Sequence, residues 1–556
     1  MATTRRSFLT GAFGAGALAL GATGCSAISG EGGAAAPVGS DGSGSAPAQL
    51  PTTLEAAPPE VEAFHLAENP GMSDVYTQGP TSFAPSVDRA PGDGSLTISV
   101  FQFIWGTPPV DREKNPYWQE LEQRLGVTYD PQFVPAATYD AKFSTMLASG
   151  DIPDLVFVND QSAVHLQAIR EGAFADLSET LGGDGISRWP NLAARSQDVW
   201  RSSLKDGRIF QLPSIVWPIT NLAVMRRDVL ESTSIGPEPQ DADQLMKALI
   251  EAKGTTHEGQ QVYGFTKIDR PMFTSLFRVG AEWQRDASGD LVHMSQTANY
   301  REMLTWLAAA WKDGVFDPNA LTPAADSTTW RSAVAWEAVS NAFAGPLFAD
   351  TARDHPGAQL DYLPLPGFDG TAPLFIRNVP YGRSTSISAA AAQDEERLTA
   401  ILDVMDYLSA PWGSEEFQFV RHGIEGRHWE LGEGGQVLGI EEHAAELGVQ
   451  YVAVDSGSNP YRGHPSAAGL AERFSAVMES NAANSQPRLL EGYESASATF
   501  VTKGAQLKQS LEDFENGVIT GRESVDDLDA FVQSYLGAGG EQVRSEYEAV
   551  LKAEGL

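Results

Sequence analysis

One residue in this chain of 556 has chemistry that its neighbours define: Cys25, the only cysteine, preceded by the small residues Ala22-Thr23-Gly24. A lone thiol after such a run is a substrate for lipid attachment. Arg5-Arg6 stand ahead of an apolar run from Phe8 to Leu20, the order of a twin-arginine export leader. The run is rich in Gly and Ala and falls short of the roughly 20 apolar residues that cross a bilayer. Residues 1–24 are therefore expected to be a twin-arginine lipoprotein signal peptide. The mature protein should start at a lipidated Cys25, anchored on the extracytoplasmic face of the cell membrane. One cysteine cannot form a disulfide within the chain, so the fold must rest on its core.

Other reactive constellations are missing. Gly-x-Ser-x-Gly, His-Glu-x-x-His and Gly-x-x-x-x-Gly-Lys do not occur. The nine histidines are dispersed, and His422 and His428, six apart, have no carboxylate pair at metal-ligand spacing. No metal and no cofactor are expected. With 38 basic and 73 acidic residues the net charge is −35, which argues against a nucleic-acid partner, because phosphate backbones are bound through Lys and Arg. The acidic balance reads instead as a solvated surface that keeps an exported protein soluble.

The elements that carry this surface begin late. Residues 25–95 are dominated by Gly, Ala, Ser and Pro, too poor in large apolar groups to offset ordering entropy, and read as a flexible, lipid-anchored tether, with the less extreme stretch Glu60–Asp88 expected to pack in part against the body. Then Leu96-Thr97-Ile98-Ser99-Val100-Phe101 forms a buried-strand pattern. Asn115-Pro116 supplies a cap and a first-turn proline for a helix with Trp118, Leu121 and Leu125 on one face, stopped by Gly126. A strand follows from Val127 to Val134, then a helix bearing Tyr139, Phe143, Met146 and Leu147, ended by Gly150. Asp154 leads into a third strand through Val158. Alternating strand and helix is the pattern of a parallel sheet covered by helices.

Tyr139-x-x-x-Phe143 with Leu147-Ala148-Ser149-Gly150-Asp151-Ile152-Pro153-Asp154 resembles the signature of extracellular solute-binding proteins of ABC importers, family 1, the group of maltose-binding protein. Gly207-Arg208-Ile209-Phe210-Gln211-Leu212-Pro213 resembles that family's first crossing between lobes, and Leu222 to Leu230 the strand and helix after it. Gly423-Ile424-Glu425-Gly426-Arg427-His428-Trp429, and the terminal pattern Phe531–Tyr535, Gly539-Gly540 and Val543–Leu551, resemble its larger lipoprotein members. The matches come in order and cover about Leu96 to Leu556. Some relatives carry an Asp-rich calcium loop; here Lys253-Gly254-Thr255-Thr256-His257-Glu258-Gly259 offers too few carboxylates for the six to eight oxygens that calcium takes.

The resemblance implies an α/β fold of two lobes joined by a hinge, the type II periplasmic-binding-protein architecture, with ligand in the cleft between them. One lobe would hold about residues 96–212 and 382–450. The other would hold about 213–361 and part of the C-terminal helical region, with crossings near Leu212-Pro213 and between Leu363 and Tyr381. A carbohydrate, an oligosaccharide by expectation, suits the supply of Trp and Tyr, since a pyranose offers an apolar face for an aromatic ring and a rim of hydroxyls for paired polar groups. Candidate ligand contacts are Trp105 after the first strand, Asn159, Asp160 and Gln161 after the third, and Trp217 beyond the first crossing. Trp283, the Phe343-Ala344-Gly345-Pro346 turn with Gly345, Arg377 and Tyr381 complete the set. Trp306, Trp311 and Trp336 sit among apolar neighbours and are expected in the core.

The implied role is a monomeric receptor that delivers its sugar to ABC permease subunits without altering it. An exported glycoside hydrolase, which needs only two carboxylates about 5 to 10 Å apart, or a surface glycan-adhesion protein, is the alternative. Because stable attachment takes two lipid signals and Cys25 is the sole acceptor, Cys25→Ser should leave the exported protein unanchored or unprocessed. Equal membrane fractions for variant and wild type would count against the anchor.

Overall fold

A computed structural model describes residues 48–54, 60–69, 74–104, 106–158, 163–214, 219, 221–322, 329–338, 346–377, 384–450, 469–493 and 496–556. The signal peptide and Cys25 lie outside the described residues. Among those described, no helix is long and apolar enough to cross a membrane.

The alternation read from the sequence is realised as β1 (Thr97–Ile104), α1 (Pro116–Leu125), β2 (Thr128–Pro135), α2 (Tyr139–Ser149) and β3 (Leu155–Val158). Asn115 caps α1 by accepting the Trp118 N–H through its side chain, and Gly126, at φ 63°, ends it in the left-handed region that glycine adopts without strain. β1, β2 and β3 run parallel. The sheet is completed from far along the chain: Ser384–Ile387 inserts antiparallel between β3 and β4 (Leu212–Pro213), giving five strands. A second sheet of three antiparallel strands is centred on β5 (Asn221–Arg226), flanked by Val334–Ala338 and Leu360–Tyr362.

Each sheet anchors its own core. The first core draws on residues between Ile98 and Leu212 and again between Ile387 and Val449. The second draws on Ile219 to Phe375 and on helices between Leu470 and Val532. A third, smaller cluster gathers Trp283, Leu291, Leu507, Tyr535, Val543, Tyr547 and Leu551 at the C-terminal helices. The chain thus passes from the first sheet to the second between Ser214 and Asn221 and is back at Ser384.

The Gly-Asp-Ile-Pro-Asp motif acquires a structural meaning here. Asp154 is 8% exposed. Its Oδ2 accepts from the Ser99 backbone N–H and hydroxyl, both at 2.8 Å, while Oδ1 accepts from Arg397 Nε and Nη2 at 3.0 and 2.8 Å. One carboxylate therefore ties β1, the entry to β3 and the helix Glu395–Leu408 together. Gly423 to Trp429 is likewise a staple: Trp429 Nε1 donates to the Gly423 carbonyl at 2.9 Å, and His428 Nδ1 accepts the Ile424 N–H at 3.0 Å.

One expectation is corrected in extent. The tether up to Ser95, expected to pack only within Glu60–Asp88, docks on the body from Ala48 onward in the described residues. Thr52 donates to Gly183 and Leu54 to Ala193 through backbone bonds of 2.8 and 2.9 Å, Val75 is buried, and Gly92 donates to Leu125 at 2.9 Å. The segment docks through backbone hydrogen bonds at glycine-lined approaches, and such docking leaves no hydrophobic periodicity to read.

Removing Asp154 would strand a partly buried guanidinium and two donors of Ser99. Asp154→Ala should cost about 2–4 kcal/mol, below the full penalty of a wholly buried pair because Arg397 can reach solvent. Urea unfolding followed by tryptophan fluorescence measures it, and an unchanged midpoint would refute the role.

Candidate functional site

The strands of the first sheet end together. Ser384, the first residue of its strand, lies opposite Val158, the last of β3, and opposite Pro213, the last of β4. β1 ends on the same side at Ile104. In open α/β sheets this is the edge that receives ligands. Trp105, Asn159, Asp160, Gln161, Trp217 and Tyr381 follow or precede these strand ends in sequence and, with Gly345, lie outside the described residues.

The second sheet offers a described cavity at its matching edge. Asn221 opens β5 where the chain arrives from the first lobe, and it pairs with Ala338 at the end of the adjacent strand. Beside them is a cavity of about 250 Å³ lined by Asn221, Thr266, Lys267, Asp269, Thr329, Trp336 and Glu337, over a floor that includes Phe265, Met272 and Val334. Trp336 is half-buried and lies nearly parallel to Phe375, ring centroids 6.4 Å apart and planes at 9°. One indole is thus held by packing beside a polar rim. Such a site stacks an apolar ring face and meets hydroxyls with paired donors and acceptors.

Electrostatics within the cavity are uneven. Lys267 Nζ lies 3.0 Å from Asp269 Oδ1, so this cation is already matched. Glu337 is buried and accepts from the Thr329 hydroxyl. Burial pushes its carboxyl pKa above the ordinary value and Asp269 adds to the shift, against the Thr329 bond and Lys267.

Arg377 stands two residues beyond Phe375, where the chain leaves the second lobe. Its Nε donates to Ser485 Oγ at 3.2 Å and its backbone N–H to the Gln486 carbonyl at 2.8 Å, so it is oriented close to the Trp336 side of the fold. Trp283 is a correction. It is 5% exposed, with its ring edge-on to His293 and Tyr547 in the C-terminal cluster, and it presents no face to a ligand. Trp306 is core, and Trp311 is packed against it. Trp336 lies on the strand Val334–Ala338, not on a helix, half-buried against the second core and lining the cavity. Its place beside Glu337 at a strand end is the arrangement in which a sugar-facing aromatic is expected.

The Lys253–Gly259 stretch turns between Thr256–His257 and Gln260–Gln261, with Glu258 and Gly259 at φ 52° and 76°, a two-residue hairpin. Glu258 is engaged by His355 Nδ1 at 2.9 Å. Among the described residues no group of three or more His, Cys, Asp or Glu side chains converges as metal ligands.

Two α/β lobes with crossings of the chain between them make up the fold of periplasmic solute-binding proteins. Comparison with known proteins supports that fold. The lipoprotein LipO of Bacillus subtilis (strain 168) is 22% identical over 352 residues, 59% of this chain and 66% of LipO, just under two thirds of that relative. The polygalacturonan/rhamnogalacturonan-binding protein YtcQ of the same organism is 20% identical over 486 residues, 84% of this chain and 93% of YtcQ. The alginate-binding protein AlgQ2, solved without calcium ion, superposes with a TM-score of 0.62 at 17% identity, covering 83% of this chain and 98% of that one. No family model matches the chain.

Glu337 also predicts a stability signature. A carboxyl whose folded pKa is raised binds its proton more tightly folded than unfolded. Stability is then lost as pH climbs from the ordinary carboxylate range through the raised value. Glu337→Gln should therefore raise the melting temperature at pH 7 by about 1–3 °C, with the gain vanishing below the ordinary glutamate pKa. A variant less stable than wild type at pH 7 would contradict the desolvated carboxyl.

Proposed function

We propose that this protein is the carbohydrate receptor of an ABC importer, tethered through a lipidated Cys25 after twin-arginine export, which captures an oligosaccharide outside the cytoplasmic membrane and hands it to the permease unchanged. The observation that carries this reading is the cavity of the second lobe beside the start of β5, where the Trp336 indole stands with Asn221, Thr329 and Glu337. The named ligands of YtcQ and AlgQ2, both polysaccharides, support it. LipO, a lipoprotein by name, supports the anchor.

In this mechanism the second lobe supplies Trp336 as a stacking platform and Glu337 as an acceptor for hydroxyl protons. From the first lobe, Trp105 would cover the other sugar face, with Asn159, Asp160 and Gln161 meeting its hydroxyls, and Trp217, just past the first crossing, would stack from the hinge side. Arg377 and Tyr381 border the return crossing. Ligand that touches both lobes favours the closed arrangement by its differential affinity, and the permease reads that arrangement. Nothing in the cycle breaks a bond.

A thermal-shift panel of oligosaccharides tests the class, since a ligand at 100 times its Kd stabilises by about 2.7 kcal/mol. Trp336→Ala and Trp217→Ala should each weaken binding of the responding sugar by about three- to a hundredfold, as lost stacking and polar contacts imply, with cooperative unfolding retained. Chromatography after long incubation should return the sugar intact. Cleaved products would make the protein a hydrolase, and normal binding by Trp336→Ala would move the platform elsewhere.

A further inference from the structure

The N-terminal segment visits the first lobe, then the second, then the first again. Ala48, Thr52 and Leu54 donate backbone N–H groups to Gly207, Gly183 and Ala193 of the first lobe at 2.9, 2.8 and 2.9 Å. The chain then lies on the second lobe, where His65 and Val75 form an antiparallel bridge. Val75, 3% exposed, joins the second core. Glu479, on the helix Leu470–Ala483 of that lobe, gathers the hairpin: His65 Nε2 lies 3.2 Å from Oε1, the Glu68 N–H donates to Oε1 at 3.0 Å, and Asn69 Nδ2 donates to Oε2 at 2.5 Å.

One peptide further the chain is back on the first lobe. The Tyr76 ring sits 4.7 Å from that of Trp412, in the turn after the helix Glu395–Leu408. Gly79 donates to the Gly434 carbonyl at 2.8 Å, and the approach is so close that a Cβ on Gly79 would fall 2.2 Å from the Gly435 oxygen. Beyond it, Glu416, buried in the first lobe, accepts the Ser86 N–H and hydroxyl at 2.8 and 2.9 Å.

Consecutive Cα atoms are about 3.8 Å apart, so Val75 in one core and Tyr76 on the other lobe cannot separate when the lobes rotate. A rotation that draws the second lobe away from Trp412 must therefore break one of the two attachments. The first-lobe side is a run of contacts from Gly79 to Gly94, backbone bonds together with the Glu416 carboxylate. Among the described residues the second-lobe side rests on Glu479, through its carboxylate and its carbonyl, and on Val75, a smaller set that releases first. We infer that residues 65–69 together with 74–76 are an inter-lobe latch, which holds the lobes in one relative setting and limits their rotation until this segment leaves Glu479. The latch lies outside the sugar contacts proposed above, and its test needs no ligand.

Spin labels on the two lobes, through Gln119→Cys and Glu302→Cys in an otherwise full chain carrying Cys25→Ser, report the inter-lobe distance, and hydrogen exchange reports the hairpin. Glu479→Ala should speed exchange of the Phe64 and Val75 amides about tenfold or more, as loss of charge-assisted bonds implies. Both Glu479→Ala and Tyr76→Ala should broaden or shift the distance distribution. Leu66→Ser, at a position 68% exposed on the same hairpin, should change neither. If the hairpin loosens while the distances stay as in wild type, the segment merely covers the surface and the latch is refuted. Unchanged exchange in Glu479→Ala would show that the carboxylate does not hold it. A cooperative melt in each variant separates these outcomes from unfolding.

Discussion

The insertion of Ser384–Ile387 between β3 and β4 constrains everything else. A strand that completes the first sheet must be delivered from far along the chain, after the whole of the second sheet has been built. The polypeptide therefore leaves the first lobe after β4 and returns just before the inserted strand. Both passages fall at the edge where β1, β3 and β4 end. Because the same edge carries the loops, the cleft and the connections between lobes coincide, and a ligand held there touches the segments that rotation would move.

Buried carboxylates do much of the fastening in this acidic chain. Asp154 clamps β1 to the helix that follows the inserted strand. Asp361, 1% exposed, accepts from Arg227 at 2.8 Å and Arg473 at 2.5 Å, docking the helix Leu470–Ala483 onto the second sheet. Glu416 and Glu479 receive the N-terminal segment. A carboxylate with several donors fixes direction as well as distance, which apolar packing does not. Burial also makes the charge of Glu337 costly, as it does for Asp406, and Glu337 stands at the cavity rim.

The local elements were legible because their signals are local. Asn115, Pro116 and Gly126 bound α1 by backbone chemistry that needs no distant partner, and the alternation from Leu96 to Val158 fixes a parallel sheet. The site was only half legible. Strand ends pointed to one edge of the first sheet, whose loop residues lie outside the described set, and an aromatic at a strand end looks the same whether it faces a core or a cavity. Trp283 went to the C-terminal cluster because Tyr547 and His293 close over it, and Trp336 to the cavity because Asn221 and Asp269 stand beside it.

Sequence alone determined the α/β fold class and the elements of the first lobe, since capping, periodicity and the Gly-Asp-Ile-Pro-Asp motif act within a few residues of one another. It also pointed to an anchored, non-nucleic-acid-binding surface protein through its lone cysteine and its charge. Tertiary structure alone decided which tryptophan lines the cavity, which carboxyl is desolvated and how far the N-terminal segment is ordered. Those outcomes depend on contacts between residues hundreds of positions apart, such as His65 with Glu479 and Ser86 with Glu416. Their hydrogen bonds leave no periodic trace in the chain.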